Sequence, residues 1–358
     1  LCNDEGMARG FDIVLFGASG FTGRLVADYL RRFAPAGPRI ALAGRNEAKL
    51  KSLGFDFPVV LADSGDAASL QALAEQTRVV CTTVGPYAKY GLPLVEACAK
   101  AGTHCCDLTG ETQFMRASID AWHETAKQSG ARIVHTCGFD SIPSDLGVQA
   151  LHEVLGPMKR ATYAVMTLKG GFSGGTIDSL LTGLEQGEHS RDVRRNMADP
   201  YSLSPDRAKE PDLGKQPDVF SFYFDDFVGK WVAPFVMASV NTRVVRRSNA
   251  LLDYAWGKQL KYAEVSAMKN AAQAAIFTGG LGAFMSALVF KPTRGLVMKA
   301  LPKPGEGPSE ETREKGRLKV HVFGESETGQ RKTLVITGEG DHGYKLTSLI
   351  LGQAALCL

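Results

Sequence analysis

The sequence predicts an α/β protein: an N-terminal Rossmann-type parallel sheet followed by a second α+β domain that carries an antiparallel or mixed sheet. Two observations predict it. From Phe11 to about Ile142, short β-branched runs alternate with helical stretches, the rhythm of βαβ crossovers. After about residue 156 that rhythm gives way to longer alternating segments. With 358 residues the chain is long enough for two cores. The expected divisions are residues 8–143, residues 144–343 and a terminal helix, 344–358, that packs back on the body.

Taken in order, Phe11–Phe16 reads as a strand, Phe21–Phe33 as a helix and Arg39–Ala43 as the next strand. Glu47–Leu53 is a short helix, Pro58–Leu61 a strand, Ala67–Gln76 a helix and Arg78–Thr83 the fourth strand. A helix over Leu92–Lys100 follows. The strands His104–Asp107 and Arg132–Thr136 flank a helix over Gln113–Gln128. Nearly continuous apolar strands such as IVLF fit a sheet covered on both faces. In the second half, Arg160–Leu168, Val219–Phe224 and Lys258–Ser266 read as strands and Thr176–Asn196 as a helix. Arg317–Gly324 and Lys332–Gly338 pair around the turn Ser326–Gln330, and Lys345–Leu358 is helical. Pro302–Gly316, rich in Pro, Gly and Glu, reads as an exposed flexible loop.

Apolar residues make up 44% and charged residues 22%, a soluble globular balance. A net charge of +3 without a basic block argues against nucleic-acid binding. Seven cysteines, an odd number without zinc-ligand spacing, read as reduced, mostly buried thiols. The seven histidines form no metal motif, so no metal is expected. The first ten residues lack the apolar core of a signal peptide, and Met7 reads as a start. The expected location is cytoplasmic, with a peripheral position at the inner membrane surface allowed.

The chemistry begins at Gly17-Ala18-Ser19-Gly20-Phe21-Thr22-Gly23, which follows a strand and opens a helix. The first glycine makes the tight turn. The second lets backbone N–H groups reach a pyrophosphate, and the third permits close helix–sheet packing. The helix N-terminus adds free donors and positive dipole. Gly17, Ser19, Gly20, Phe21, Thr22 and Gly23 are therefore expected to bind a dinucleotide. The second strand ends Ala43-Gly44-Arg45-Asn46 with no acid. An NAD site wants an acid there for the ribose hydroxyls, whereas a guanidinium pairs with a 2′-phosphate. Arg45 thus predicts NADP(H). Asp63, after the third strand, borders the adenine or caps the next helix. Gly85 and Pro86, after the fourth strand, let the nicotinamide ribose approach the backbone, with Tyr87 beside them.

The strings GASGFTGRL, AGR, VGPYAKYGLPLVEACAKAGTHCCDLTGE and CGFDSIPSDLG, with SGGT at 173–176 and LPKPGEGPSEETREKG, together resemble the saccharopine dehydrogenase-like oxidoreductases, and within them the bacterial trans-acting enoyl reductases. The resemblance runs over most of the chain. It implies a Rossmann domain, NADP(H) and reduction of a carbon–carbon double bond in a polyketide-derived lipid. It is also similar to an animal branch associated with lipid droplets or membranes.

Enoyl reduction needs a hydride at the β-carbon, charge stabilisation at the carbonyl and a proton for the α-carbon. Tyr87 and Tyr90, past the fourth strand, are candidate donors, or rings packed over a ligand. Asp140 and Asp145, in the stretch that leaves the last Rossmann strand, are further candidates, with Asp145 and Ser144 equally suited to cap a helix. Asp107 and Glu111 orient the cofactor or bond the loop backbone. Ser173–Thr176 presents amides or simply caps. Cys137 has no basic neighbour in sequence and is not expected to be a nucleophile. No Ser–His–Asp arrangement is legible from spacing.

Asn270–Phe290 contains 21 residues without a charge, enough by count to cross a bilayer. Gly279, Gly280 and Gly282 are expected to break it into two short arms. Flanking Lys269, Lys291, Arg294 and Lys299 suit a segment lying on lipid, and a buried pair or homodimer interface is the alternative. The partners expected are a lipid-like substrate, a peripheral membrane contact and a second copy. Two rival functions stand beside the reductase. One is a saccharopine-type amino-acid dehydrogenase, with Arg191, Arg194 and Arg195 clamping carboxylates. The other is a non-catalytic NADP-binding scaffold at a membrane or lipid droplet.

Overall fold

The computed structural model describes residues 9–171, 174–301 and 306–358. Expectations placed on the residues before these, on Ser173 and on Pro302–Gly305 lie outside the described residues. The chain divides into two compact units. One comprises the residues up to Thr109 with Ala117–Gly138 and Thr347–Leu358, and the other Gly110–Arg116 with Phe139–Leu346.

The first unit is built on β1 (Phe11–Phe16), β2 (Ile40–Gly44), β3 (Val59–Leu61), β4 (Thr77–Thr82), β5 (His104–Cys106) and β6 (Ile133–Val134). They form one parallel sheet in the order β3-β2-β1-β4-β5-β6. Helices α1 (Phe21–Phe33), α2 (Glu47–Lys51), α3 (Ala67–Glu75), α4 (Tyr87–Ala101) and α5 (Thr112–Ser129) make the crossovers. Side chains alternate across each strand, and both sets are buried. Ile13, Leu15, Leu42, Val79 and Cys81 meet Val26, Ala27 and Leu30 of α1. Val14, Phe16, Ala41, Ala43 and Val80 meet Leu70 and Leu73 of α3 and Leu94 of α4. This double burial explains the unbroken apolar strands.

The second unit begins with α6 (Ile142–Leu155) and β7 (Met158–Lys169), followed by α7 (Gly174–His189), α8 (Arg191–Ala198), β8 (Tyr223–Asp225), β9 (Lys230–Pro234) and α9 (Ala238–Leu251). Next come β10 (Lys261–Met268), α10 (Ala271–Val289), α11 (Lys291–Ala300), α12 (Glu310–Lys315), β11 (Arg317–Ser326) and β12 (Arg331–Glu339). A wide turn over His342–Leu346 then leads to α13 (Thr347–Cys357), back in the first unit. There α13 joins the apolar cluster of α1 through Leu351 and Ala355. Gln353 Nε2 donates to Tyr29 Oη at 2.6 Å, and a Cβ on Gly352 would stand 2.6 Å from the Tyr29 ring. The second sheet has the order β12-β11-β7-β10-β9-β8. It is mixed: β7 and β10 run parallel and the other pairs antiparallel.

Several elements differ from expectation, each for a local reason. The strand read over Val219–Phe224 is the short β8, because Asp225 turns the chain by accepting from Phe227 N (2.8 Å) and Val228 N (3.2 Å). Its partner β9 was not expected. The helix read over Thr176–Asn196 is two helices, since Ser190 caps α8 by accepting from Val193 N. Helix α9 was not expected either; its Arg243 is 2% exposed and paired with Asp218. Part of the expected loop over Pro302–Gly316 is α12, capped by Ser309 and braced by Lys315–Glu311.

The largest correction concerns the uncharged segment. No break occurs at the glycines, and α10 is continuous. Asn270 caps it by accepting from Gln273 N. Ala274 packs on Ala233, Met268 and Trp231, and Leu288 is buried near the other end. Three glycines at about 1 kcal/mol each do not outweigh that anchoring. Nor is it a buried helix pair, for Ile276 (77%), Phe277, Phe284 and Val289 stand exposed.

Candidate functional site

In the first unit the strand order reverses between β1 and β4, where an open parallel sheet opens a crevice beyond the carboxyl ends of its strands. Two loops meet there. Gly17 has φ +89°, and a Cβ on it would lie 2.8 Å from both Thr83 Oγ1 and Val84 Cγ2. Thr83 Oγ1 in turn donates to Gly17 O at 3.2 Å. A Cβ on Gly23 would stand 2.2 Å from Gly17 O, so only glycine lets α1 begin so close to β1. Gly20 is the N-cap of α1 and brings no side chain to cover the first amides, and no acid stands in the first turn. Ser19 and Gly20 are exposed, while Phe21 and Thr22 are half-buried. An amide cradle closed by glycines and free of negative charge fits a diphosphate.

Arg45 follows β2 directly and is exposed. Asn46 is already engaged as the cap of α2, accepting from Lys49 N. Asp63 folds onto its own loop, accepting from Gly65 N at 2.9 Å, while Asp66 caps α3. Gly85 and Pro86 form the loop after β4, with Pro86 as N-cap of α4. Tyr87 begins that helix at 4% exposure, its hydroxyl donating to Thr82 O (3.2 Å) and accepting from Leu108 N (3.5 Å). Its phenol is thus spent on backbone. Tyr90, one turn later, is 42% exposed.

At the ends of β5 and β6 stands an arrangement that spacing did not reveal. Asp107 Oδ2 lies 2.6 Å from His135 Nδ1, and His135 Nε2 lies 2.9 Å from Ser118 Oγ. Asp107 Oδ1 accepts from Thr109 N (3.0 Å) and Thr136 N (3.1 Å). Ser118 is 3% exposed within α5, so the group ties strand ends to helix rather than presenting a nucleophile. Cys81, Cys98, Cys105, Cys106 and Cys137 are free and buried. Burial and the Asp107 charge push the Cys137 thiol well up, which suits packing. Among the described residues no cluster has the makings of a metal site.

The second unit carries the acid chemistry. Asp140 is half-buried, and burial alone raises its carboxyl to about 6. Asp145, in the first turn of α6, is also raised to about 6 by burial, with Ser248 bonding one side and Oδ1 buried without a partner. Ser141, not Ser144 or Asp145, is the N-cap. Deeper lies a set that sequence reasoning missed. Glu264 on β10 is 1% exposed. Its Oε1 accepts from Tyr262 Oη (2.6 Å) and its Oε2 from Asn241 Nδ2 (2.9 Å). Asn241 also donates to Ser144 Oγ (3.3 Å) and accepts from Ser141 Oγ (3.0 Å). Burial raises Glu264 to about 7. The available signal was a lone acid at an inward position of the alternating run KYAEVSAM. Of the arginines considered as carboxylate clamps, Arg194 instead donates to the carbonyls of Gly187 (2.6 Å) and Glu188 (3.3 Å).

Residues 13–134 match the saccharopine dehydrogenase NADP binding domain. The chain is 46% identical over 98% of its length to a Mycobacterium tuberculosis protein assigned provisionally as a trans-acting enoyl reductase, covering 89% of that protein. It is 39% identical to the trans-acting enoyl reductase of Mycobacterium ulcerans, again over 98% of this chain and 89% of the relative. The chain belongs to the trans-acting enoyl reductases. Like its family, it is an NADP-dependent oxidoreductase, and NADP(H) is its cofactor. Among solved structures, apo saccharopine dehydrogenase from Saccharomyces cerevisiae is similar with a TM-score of 0.45 and 13% identity, over 97% of this chain and 89% of that one.

Proposed function

We propose that this oxidoreductase reduces the carbon–carbon double bond of an enoyl group in a lipid-like, polyketide-derived substrate, with Asp140 supplying the proton to the α-carbon. NADPH, when bound, supplies the hydride. Gly17, Ser19, Gly20, Phe21, Thr22 and Gly23 hold the diphosphate and Arg45 the 2′-phosphate. Asp63 borders the adenine, and Gly85 and Pro86 leave room for the nicotinamide ribose. The observation that carries the assignment is Asp140 itself: half-buried, paired with no cation among the described residues, with its carboxyl raised by burial to about 6. A proton donor works best with an affinity near the working pH. Tyr87 is held on backbone, and Asp145 is engaged by Ser248 of α9. Tyr90 remains as a ring beside the substrate rather than its acid. D140N tests this. Turnover should fall by roughly 100-fold or more while NADPH binding holds. A change under about twofold in turnover would remove Asp140 from the role.

We infer further that the enzyme is cytoplasmic and meets its apolar substrate at the inner membrane surface through α10. This helix has mean hydropathy 1.5 over 18 residues and is largely unburied. No acid occurs between residues 265 and 301, where Lys269 and Lys299 fall, while Lys291 and Arg294 are paired with Glu188. Exposed Phe220, Phe222, Tyr223 and Phe224 lie on and just before β8, which packs against α10. Aromatic rings and cations beside an apolar helix suit an anionic interface. Because β10 and β11 share a sheet, crossing would require a return span, which favours a peripheral position. Cosedimentation with phosphatidylglycerol vesicles should capture the protein, and I276E with F290E should release it. A concentration-dependent dimer lost in the same variants, without vesicle binding, would favour a second copy there.

A further inference from the structure

Strand β12 forms one edge of the second sheet, with β11 as its neighbour. The pairing runs without interruption from Glu325 opposite Arg331 to Arg317 opposite Glu339. Just beyond its ends, Ser326 N donates to Gln330 O (2.9 Å) and Gly340 N donates to Gly316 O (3.0 Å). In an antiparallel ladder, residues alternate between exchanging both bonds with the partner strand and turning both away from it. Between those two fixed ends, Lys332, Leu334, Ile336 and Gly338 therefore bond to β11. Arg331, Thr333, Val335, Thr337 and Glu339 turn their N–H and C=O groups outward, and among the described residues no other strand takes them up. Natural edge strands carry a proline, an inward charge or a bulge against pairing with another chain. Residues 333–338 hold no proline and no charge.

This edge is complementary to itself. Two copies of β12 set antiparallel about a two-fold axis at Val335 bring outward residues face to face: Val335 to Val335, Thr333 to Thr337 and Arg331 to Glu339 of the other copy. Each outward amide then meets an outward carbonyl, and opposite charges meet at both ends. Sliding the axis along the strand in either direction shortens the ladder and separates Arg331 from Glu339. Arg331 rests 3.6 Å from Glu325 with its side chain largely exposed, so the end pairs lie on the rim and select register more than they add affinity.

Helix α6 supplies an independent observation. It lies over the gap between β11 and β12, since a Cβ on its Gly147 would stand 3.2 Å from Val322 and 3.3 Å from Ile336. Its other flank faces the turn after α9, where Gln149 accepts from Trp256 Nε1 (2.6 Å). Leu146, Ala150 and Val154 recur at every fourth position, on the flank beside Gly147, and Leu146 and Val154 are exposed. An apolar stripe thus overhangs the free side of β12. A two-fold axis perpendicular to the sheet keeps both α6 helices on one face. From α6 to the axis is half a strand spacing to β12 and half a spacing beyond it, so the two helices stand two spacings, about 10 Å, apart. That is the distance at which helices pack. Half-buried Leu334 and Ile336 face each other across the axis beneath them.

We propose that a second copy of this chain docks here, β12 to β12 about a two-fold axis at Val335 with α6 against α6, joining the two six-stranded second sheets into one. The surface is distinct from α10, which packs on β9 and β8 at the other edge of the sheet.

Sedimentation velocity on the full-length protein tests this. Wild type should run at a two-copy mass. V335K sets two ammonium groups together at the axis and should raise the dissociation constant by roughly 100-fold or more. L146E, which puts a charge on each facing helix flank, should act in the same direction. Both side chains are exposed, so circular dichroism and NADPH affinity should hold in either variant. Hydrogen exchange identifies the edge: the amides of Thr333, Val335 and Thr337 should be protected in the wild-type dimer and exchange rapidly in L146E. A wild type that keeps a one-copy mass up to its solubility limit would overturn the proposal. So would a dimer that survives both V335K and L146E, or rapid exchange of those amides within the dimer. A dimer lost in I276E with F290E but kept in V335K would place the contact on α10 and overturn it as well.

Discussion

Asp107 Oδ2 and His135 Nδ1 approach to 2.6 Å and join the ends of β5 and β6. The same carboxylate holds the amide of Thr136, a β-branched residue at φ 60°, a conformation that such residues adopt only under constraint. The backbone just beyond β6 is therefore held by one buried acid.

From this follows a stability prediction. D107A leaves the amides of Thr109 and Thr136 and the His135 ring without their buried acceptor. At about 1–3 kcal/mol per orphaned group, a loss of about 3 kcal/mol or more is expected in chemical denaturation. A loss under about 1 kcal/mol would mean that water replaces the carboxylate.

Gly23 should be the least replaceable glycine of the cofactor loop. G23A drives a Cβ into Gly17 O, so α1 must shift and its amides lose their aim. NADPH affinity should fall by about tenfold or more, equivalent to about 1.4 kcal/mol. Unchanged affinity in a fluorescence titration would show that the loop adapts.

Arg45 should decide between the two nicotinamide cofactors. A charge-assisted contact is worth about 1.5–3 kcal/mol, so R45E should weaken NADPH roughly 10–100-fold and leave NADH little changed. Equal losses for both would point to a folding defect, and no loss would place the phosphate elsewhere.

His342 should contribute an acid limb to stability. Burial lowers its ring from 6.5 to about 4, and the ring lies 4.9 Å from Phe139, edge to face. The unfolded chain takes up the proton first as pH falls. The contribution is therefore complete above about 6.5 and lost on descending toward about 4, on the order of 3 kcal/mol in all. The stability gap between wild type and H342Q should narrow between about pH 7 and about pH 4.5. A constant gap would contradict this.

The parallel sheet and its phosphate loop were legible because local signals agree there. Apolar strands, crossover-length helices and glycines at fixed offsets all point to one topology, and β1 and α1 fall where the pattern puts them. In the second unit the deciding forces are non-local. Helix α9 is hidden by arginines whose partners, Asp218 and the carbonyls of Pro200, Tyr262 and Leu203, come from elsewhere in the chain. Three glycines misled the reading of α10 because its end contacts are not written in its own sequence. Asp140 could be named from its motif, but Glu264 and Asn241 converge from separate elements, and no spacing rule joins them.

The account is tested most directly by following isotope through one turnover. With NADPH deuterated at the transferred position and a long-chain enoyl thioester in ordinary water, the saturated product should carry deuterium at the β-carbon and a solvent proton at the α-carbon, and D140N should slow its formation. Absence of any saturated product, with NADP-dependent oxidation of an amino dicarboxylate in its place, would contradict it.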